Sequence, residues 1–245
     1  MPDQQELWQK IECNPVQFLL GGQALSAFRS GIWEQHPCLC AATDNSRSFL
    51  TSLASRSVLQ AALATHIDEV GSLEFGVDLV AAKYQNGHRE SCTAEEGTSK
   101  AIWQLFKEGC TLQIIQPQRW LDSLWRLTAA LEAQLGCLVG INAYLTPAGT
   151  QGLAPHHDDV ELWVCQTQGS KRWRLYKPWQ GLALPALPSP DFDPADIGDP
   201  IMDVTLQEGD VLYMPRGTVH QAVAQSSDSI HLTISTYQSM EWQRA

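Results

Sequence analysis

From Leu138 onward the sequence breaks into short alternating or wholly apolar runs, each closed by turn-forming residues, and this texture leaves few folds open. Strands are predicted near 139–145, 156–166, 171–176, 202–206, 211–214, 222–224 and 230–236. Pro147-Ala148-Gly149, Gln168-Gly169-Ser170, Glu208-Gly209-Asp210 and Pro215-Arg216-Gly217 supply turns between them. Many short strands with frequent turns point to a β-sandwich or barrel of the jelly-roll type. The Pro- and Asp-rich stretch between Trp179 and Pro200 reads as a long surface loop, because strand-like sequence resumes directly after it.

Helices flank this β region, with predicted spans 2–11, 57–66, 101–106 and 123–135. In the last of these Leu124, Leu127, Leu131 and Leu135 recur at spacings of three and four, and Gly136 stands where the helix stops. The expected architecture is mostly β with flanking helices. Residues 1–99 form an N-terminal helical and mixed region packing on a barrel made by residues 100–245.

Composition narrows the function. Hydrophobic residues make up 44% and charged residues 18% of 245, and no apolar run approaches the roughly 20 residues of a membrane helix. The first twelve residues carry Asp3, Glu6 and Glu12 against Lys10, so no secretory leader is expected. A formal net charge of −11 argues against direct nucleic-acid binding and suits a basic protein partner. The seven cysteines are odd in number and lack a CxxC pair, which reads as reduced thiols of an intracellular protein.

The sharpest local feature is Ala154-Pro155-His156-His157-Asp158-Asp159-Val160-Glu161 at a strand entry. Strand side chains alternate, so His156 and Asp158 share a face while His157 turns away. A His and a carboxylate so placed can bind one metal ion together. His220, after the turn at Pro215-Arg216-Gly217, would complete a 2-His-1-carboxylate facial triad with open coordination positions. His-x-Asp alone is weak evidence; its company strengthens it. Asn142 and Tyr144 alternate with Ile141, Ala143 and Leu145, and His231, Thr233 and Ser235 alternate with Ile230, Leu232 and Ile234. Several strands thus turn a polar face toward a shared space. Lys171 at a strand start could pair with the far carboxylate of a dicarboxylic cosubstrate, the plain alternative being a solvated lysine after a turn. Arg172 and Arg174 point the other way, and Trp163 and Trp173 read as core aromatics.

Five segments carry a family resemblance: Asn142 through Gly149, Ala154 through Glu161, Gly169 through Tyr176, Pro215 through Ala222 and His231 through Gln238. With Phe75-Gly76-Val77-Asp78, Tyr84 through Glu90 and Pro117-Gln118-Arg119 upstream, the chain resembles the JmjC ribosomal oxygenases, in particular the eukaryotic histidyl hydroxylases that modify ribosomal proteins. The resemblance implies an Fe(II)- and 2-oxoglutarate-dependent dioxygenase on a double-stranded β-helix, the cupin-like JmjC fold. It implies His156, Asp158 and His220 as catalytic iron ligands and Lys171 as the partner of the 2-oxoglutarate tail. Asn142, Tyr144 and Ser235 match positions lining the cosubstrate and substrate pocket. The reaction it implies consumes O2 and releases succinate and CO2, with a histidyl residue of a basic ribosomal protein hydroxylated.

Two features depart from the family pattern. His157 stands where close relatives commonly have Tyr, and the chain ends at Ala245 where family members continue into dimerisation helices and a winged-helix region, so a homodimer is not expected. A rival reading with the same site is N-methyl-lysine demethylation of histone tails. Another, from a different class, is a non-catalytic cupin-like binding module. Relatives act in the nucleus or nucleolus, which sets that expectation here, with the cytoplasm left open because no Lys/Arg cluster supports import.

Overall fold

The computed structural model describes residues 4–237. An N-terminal helical run comprises α1 (Gln4–Cys13), α2 (Pro15–Leu19), α3 (Leu25–Gly31), α4 (Asp44–Ala54) and α5 (Arg56–Val70), with the short strand β1 (Cys38–Cys40) before α4. Then come β2 (Leu79–Gln85), β3 (His88–Cys92), α6 (Ser99–Lys107), β4 (Thr111–Ile115) and α7 (Asp122–Leu135). The rest is β: β5 (Leu138–Thr146), β6 (Glu161–Gln168), β7 (Lys171–Tyr176), β8 (Met202–Leu206), β9 (Val211–Met214), β10 (Val219–Ala224) and β11 (Ser229–Tyr237).

Two antiparallel sheets face each other. The larger has the order β1-β9-β6-β11-β5-β4-β2-β3 and the smaller the order β10-β7-β8. Strand alternation shows why the layers form. In β6, Trp163 and Cys165 enter a core shared with the helices, while Leu162 and Val164 enter a second core with Trp173, Leu175, Leu206, Leu212 and Met214. A strand covered on both faces must be apolar on both, and β6 is so over residues 162–165, with buried polar Glu161, Gln166 and Thr167 at its ends. In β5 and β11 the helix-facing side carries Ile141, Ala143, Leu145, Ile230, Leu232 and Ile234, all nearly inaccessible. Their other faces bear Tyr144 and His231 toward the small sheet.

The helices supply the outer layer. Leu124, Leu127 and Leu131 of α7, Phe49, Leu50 and Leu53 of α4, and Leu59, Leu63 and Ile67 of α5 are buried against the large sheet. Thr43 opens α4 with a reciprocal capping box to Ser46, which satisfies two otherwise unpaired helix-start donors. As expected, α7 stops at Gly136, in the left-handed region at φ 74°.

Several expectations need correction. The predicted strand 156–166 is not continuous: β6 begins at Glu161, and His156 makes only an isolated antiparallel bridge to His220. The physical reason is that the chain leaves the small sheet at Asp158 and crosses to the large one, so no single ladder can hold it. The strand predicted at 222–224 begins earlier, at Val219, and so includes His220. The upstream strands β1 to β4 were not predicted individually; β3 is polar and lies at the sheet edge, where one side needs no apolar cover. Three of these four strands lie within residues 1–99 and hydrogen-bond into the same sheet as the C-terminal strands. The first predicted helix, 2–11, is α1; Pro2 and Asp3 lie outside the described residues, as do residues 238–245 of the predicted barrel region.

The loop between β7 and β8 does join strands, and it also packs on the site. Ser189 N–H donates to the His157 carbonyl at 3.0 Å and Phe192 N–H to the Pro155 carbonyl at 2.8 Å. The 155–157 segment is therefore held between β10 on one side and this loop on the other.

Candidate metal and cosubstrate site

His156, Asp158 and His220 come together, each offering one ligand atom, with all three atoms within 4.8 Å of one another. Among the described residues this is the only such group of His, Cys, Asp and Glu. The backbone explains the approach. His156 N–H donates to the His220 carbonyl at 3.2 Å and His220 N–H to the His156 carbonyl at 2.8 Å, which sets the two rings side by side with centroids 4.5 Å apart. Gly217 N–H donates to the Asp158 carbonyl at 2.9 Å and pins the carboxylate-bearing residue to the same turn. Asp158 Oδ2 then lies 3.7 Å from His220 Nε2 and 3.9 Å from His156 Nε2.

The imidazole tautomers follow from their partners. His156 Nδ1 lies 2.8 Å from the Ala154 carbonyl and His220 Nδ1 lies 2.9 Å from the Thr218 carbonyl. A carbonyl only accepts, so both Nδ1 atoms carry hydrogen and both Nε2 lone pairs are free. This is the arrangement in which a backbone acceptor orients a metal-binding histidine. Burial, reinforced by His156, lowers His220 to about 4, so its imidazole is neutral near pH 7. His157 points elsewhere as alternation implied: its backbone N–H bonds Ser189 Oγ at 2.8 Å and its ring sits near Phe192.

Lys171 lies at the far end of the same space. Its side chain is buried at 5% exposure, and Nζ donates to Thr146 Oγ1 at 2.9 Å. Among the described residues no carboxylate neutralises it, and burial lowers it to about 7. In the β7–β10 ladder Leu175 faces His220, four residues along from Lys171, a distance of about 13 Å measured along the strand. An anion-binding subsite and a cation-binding triad thus occupy two ends of one cavity.

The cavity walls include Tyr144, Trp173, His231, Thr233, Thr111 and Gln221. Tyr144 and His231, opposite each other in the β5–β11 ladder, stack with centroids 4.8 Å apart at 1°. Burial pushes the Tyr144 phenol well above its usual range and, together with Lys171, His231 well below its own. Trp173, expected in the core, is buried yet also forms cavity wall, between His220 at 5.9 Å and His231 at 5.4 Å. Asn142 and Ser235 share the polar faces of β5 and β11 but do not line this cavity. Asn142 Oδ1 accepts from Gln116 N–H at 3.1 Å, and Ser235 pairs across the ladders with Gly140 and Leu162. Thr146 was legible only as part of a motif, because its role depends on β7 lying over the end of β5. Arg172 is exposed and pairs with Asp203, as a surface charge should.

Comparison with known proteins agrees with this geometry. The JmjC domain family matches residues 113–244. Ribosomal oxygenase 1 of Bos taurus is 39% identical over 220 residues, covering 88% of this chain and 32% of that protein. The bifunctional lysine-specific demethylase and histidyl-hydroxylase NO66 of Drosophila yakuba is 37% identical over 226 residues, covering 91% of this chain and 32% of that protein. The chain therefore spans about a third of the length of these curated relatives. Among solved structures, YcfD, a ribosomal oxygenase from Escherichia coli in complex with cobalt and 2-oxoglutarate, superposes with a TM-score of 0.62 at 18% identity. That match covers 88% of this chain and 52% of the other, and shows a shared fold.

Proposed function

The chain belongs to the JmjC-domain family, and on that premise we propose that it is an Fe(II)- and 2-oxoglutarate-dependent protein oxygenase that hydroxylates a histidyl residue of a ribosomal protein. The observation that carries this reading is one cavity with a two-imidazole, one-carboxylate cluster at one end and a buried ammonium lacking a counterion at the other. Two nitrogens and one oxygen suit a non-haem ferrous ion with positions left open. A linear dicarboxylate would satisfy both ends at once.

His156, Asp158 and His220 would hold the iron, and Lys171 with Thr146 the distal carboxylate of the cosubstrate. Bound there, Fe(II) supplies the oxidising chemistry that couples conversion of 2-oxoglutarate and O2 into succinate and CO2 to insertion of one oxygen atom into a substrate C–H bond. The protein's own work is placement and exclusion. The Nδ1 bonds to Ala154 and Thr218 keep both imidazoles aimed inward. Trp173, Leu162 and Val164 present apolar walls that keep bulk water from the reacting centre. Lys171 fixes one end of the cosubstrate so that its other end meets the triad, converting loose binding into a defined orientation. The chain's net negative charge favours a basic protein segment as partner.

A second reading, demethylation of N-methyl-lysine on a histone tail, is favoured by the double name of the NO66 relatives and uses the same residues. From the family resemblance we further propose a nuclear or nucleolar location, the cytoplasm being the alternative, which imaging of a tagged chain in cells would check. The test of activity is succinate formation from 2-oxoglutarate with Fe(II) and O2, in wild type and Asp158→Ala, with a basic ribosomal-protein extract whose peptides are read by mass spectrometry. Turnover that depends on Asp158, with one oxygen gained on a histidine, is the expected result. Loss of a methyl group from lysine instead would select the demethylase. Absence of turnover dependent on Asp158 in any extract would refute both and leave a cupin-like binding module.

A further inference from the structure

Glu161 is fully buried three residues past Asp158, in a place the proposed chemistry does not use. Its carboxylate accepts from the Tyr213 hydroxyl and, through Oε1 at 3.2 Å, from the backbone N–H of Arg216. The Arg216 guanidinium approaches the same oxygen at 3.8 Å and reaches Glu34 Oε1 at 3.1 Å, while Tyr213 accepts from the Glu34 N–H at 2.9 Å. A buried carboxylate is costly, and burial pushes this one up to about 7 against the opposing pull of Tyr213 and Arg216. It sits beside a stretch of backbone that follows no regular ladder, between the His156–His220 bridge and the Leu162–Met214 pairing of β6.

The register shows what it does there. Three rungs join the 156–158 segment to the β9–β10 turn and β10: the two reciprocal bonds between His156 and His220, and the bond from Gly217 N–H to the Asp158 carbonyl. The next backbone donor along the turn is Arg216 N–H. By then the other segment has swung away toward the large sheet, where Leu162 already pairs with Met214. No backbone carbonyl is left to accept, and the Glu161 side chain supplies the missing acceptor. The turn carrying His220 is thereby fastened to the segment carrying His156 and Asp158 at the point where the sheets part.

Resting on the metal-site reading above, we infer that Glu161 is a positioning residue for the triad, acting through the Arg216 backbone to hold His220 in register with His156 and Asp158. It touches neither metal nor substrate. Its loss leaves the Lys171–Thr146 subsite intact and loosens only the triad. Partners one shell outside metal ligands characteristically change metal affinity about 10- to 100-fold when removed.

The experiment is Co(II) titration of the full chain followed by visible absorption, alongside thermal unfolding of the metal-free protein. The variants are Glu161→Met, Glu161→Asp, Glu161→Gln and, as a control, Asp158→Ala. Met removes the acceptor, and Asp withdraws the carboxylate by about one C–C bond, ~1.5 Å. Gln keeps an oxygen for the Arg216 N–H. Expected are Co(II) affinities about 10- to 100-fold weaker for Met and Asp, with Gln restoring binding to within about threefold of wild type. Should Glu161→Met fail to fold, Glu161→Asp against Glu161→Gln decides. Unchanged Co(II) affinity in a folded Met or Asp variant overturns the inference, because a merely structural role would lower the unfolding temperature alone. A loss in Gln as large as in Met overturns it too, since charge and not the hydrogen bond would then matter. If wild type binds no Co(II), or Asp158→Ala binds it as tightly, the metal-site reading itself fails, and that outcome is distinct from the others.

Discussion

Lys171→Met separates two quantities that usually move together, the stability of the unliganded protein and its affinity for the cosubstrate. Met keeps an unbranched apolar stem and removes the ammonium. In the unliganded protein that ammonium is 5% exposed, has the Thr146 hydroxyl as partner at 2.9 Å, and is lowered by burial from 10.5 to about 7. Between about pH 7 and pH 10.5 the unfolded chain binds the proton that the folded chain has lost, so stability rises with pH across that window. Below about pH 7 both states are protonated and the full penalty is present. At ~1.36 kcal/mol per pH unit the penalty is on the order of 4–5 kcal/mol, and losing the Thr146 hydrogen bond takes back about 1–2 kcal/mol. Unliganded Lys171→Met is therefore expected to be roughly 2–4 kcal/mol more stable than wild type at pH 6.5, the gap narrowing toward pH 10. Cosubstrate binding should move the opposite way. A carboxylate left unpaired in the same buried place costs about 2–5 kcal/mol, or roughly 30-fold to several thousand-fold in affinity. Urea unfolding at pH 6.5 and 9.5, followed by tryptophan fluorescence, reads the first quantity. Calorimetric titration with 2-oxoglutarate in the presence of Mn(II) reads the second. A variant less stable than wild type at pH 6.5, or one that keeps its 2-oxoglutarate affinity within threefold, would refute the assignment of this end of the cavity.

Other perturbations test the frame around the site. Leu131→Ala, at a fully buried position of α7, should cost about 2–5 kcal/mol in urea unfolding, since the packed leucine stripe cannot collapse onto the void. Gly217 has φ +79°, and a Cβ there would lie 2.5 Å from Pro185 Cδ. Gly217→Ala should therefore lower the unfolding temperature through strain of about 1–3 kcal/mol and weaken Co(II) binding, because the same residue holds the Asp158 carbonyl. Arg172→Ala removes an exposed ion pair with Asp203 on the outer face of β7, and both unfolding temperature and turnover should stay at wild-type values.

Much of the C-terminal half was legible because its chemistry is local. Alternation in β5 and β11 places apolar side chains on one face and Asn142, Tyr144, His231 and Thr233 on the other, alternation in β7 puts Lys171 on the buried face with Trp173 and away from Arg172 and Arg174, and turn residues mark where each strand ends. The leucine stripe and Gly136 delimit α7 for the same reason. The N-terminal strands were harder: β1 is three residues long, β3 is polar throughout, and both are strands because a neighbouring edge was there to pair with. The continuous strand predicted at 156–166 failed where the chain changes sheets, an event that leaves no mark in local periodicity.

The sequence by itself determined the residue types and the faces they occupy: two imidazoles and a carboxylate able to share an ion, an amine at a strand start, and strands with one apolar side. Only the tertiary structure decided that Thr146 and not a carboxylate meets Lys171, that Trp173 is cavity wall as well as core, and that Glu161 takes the place of a backbone acceptor beside the triad. Each of these depends on which strands of opposing sheets come face to face. Pairing across long sequence separations is set by the burial of both sheets at once, and no local pattern encodes it.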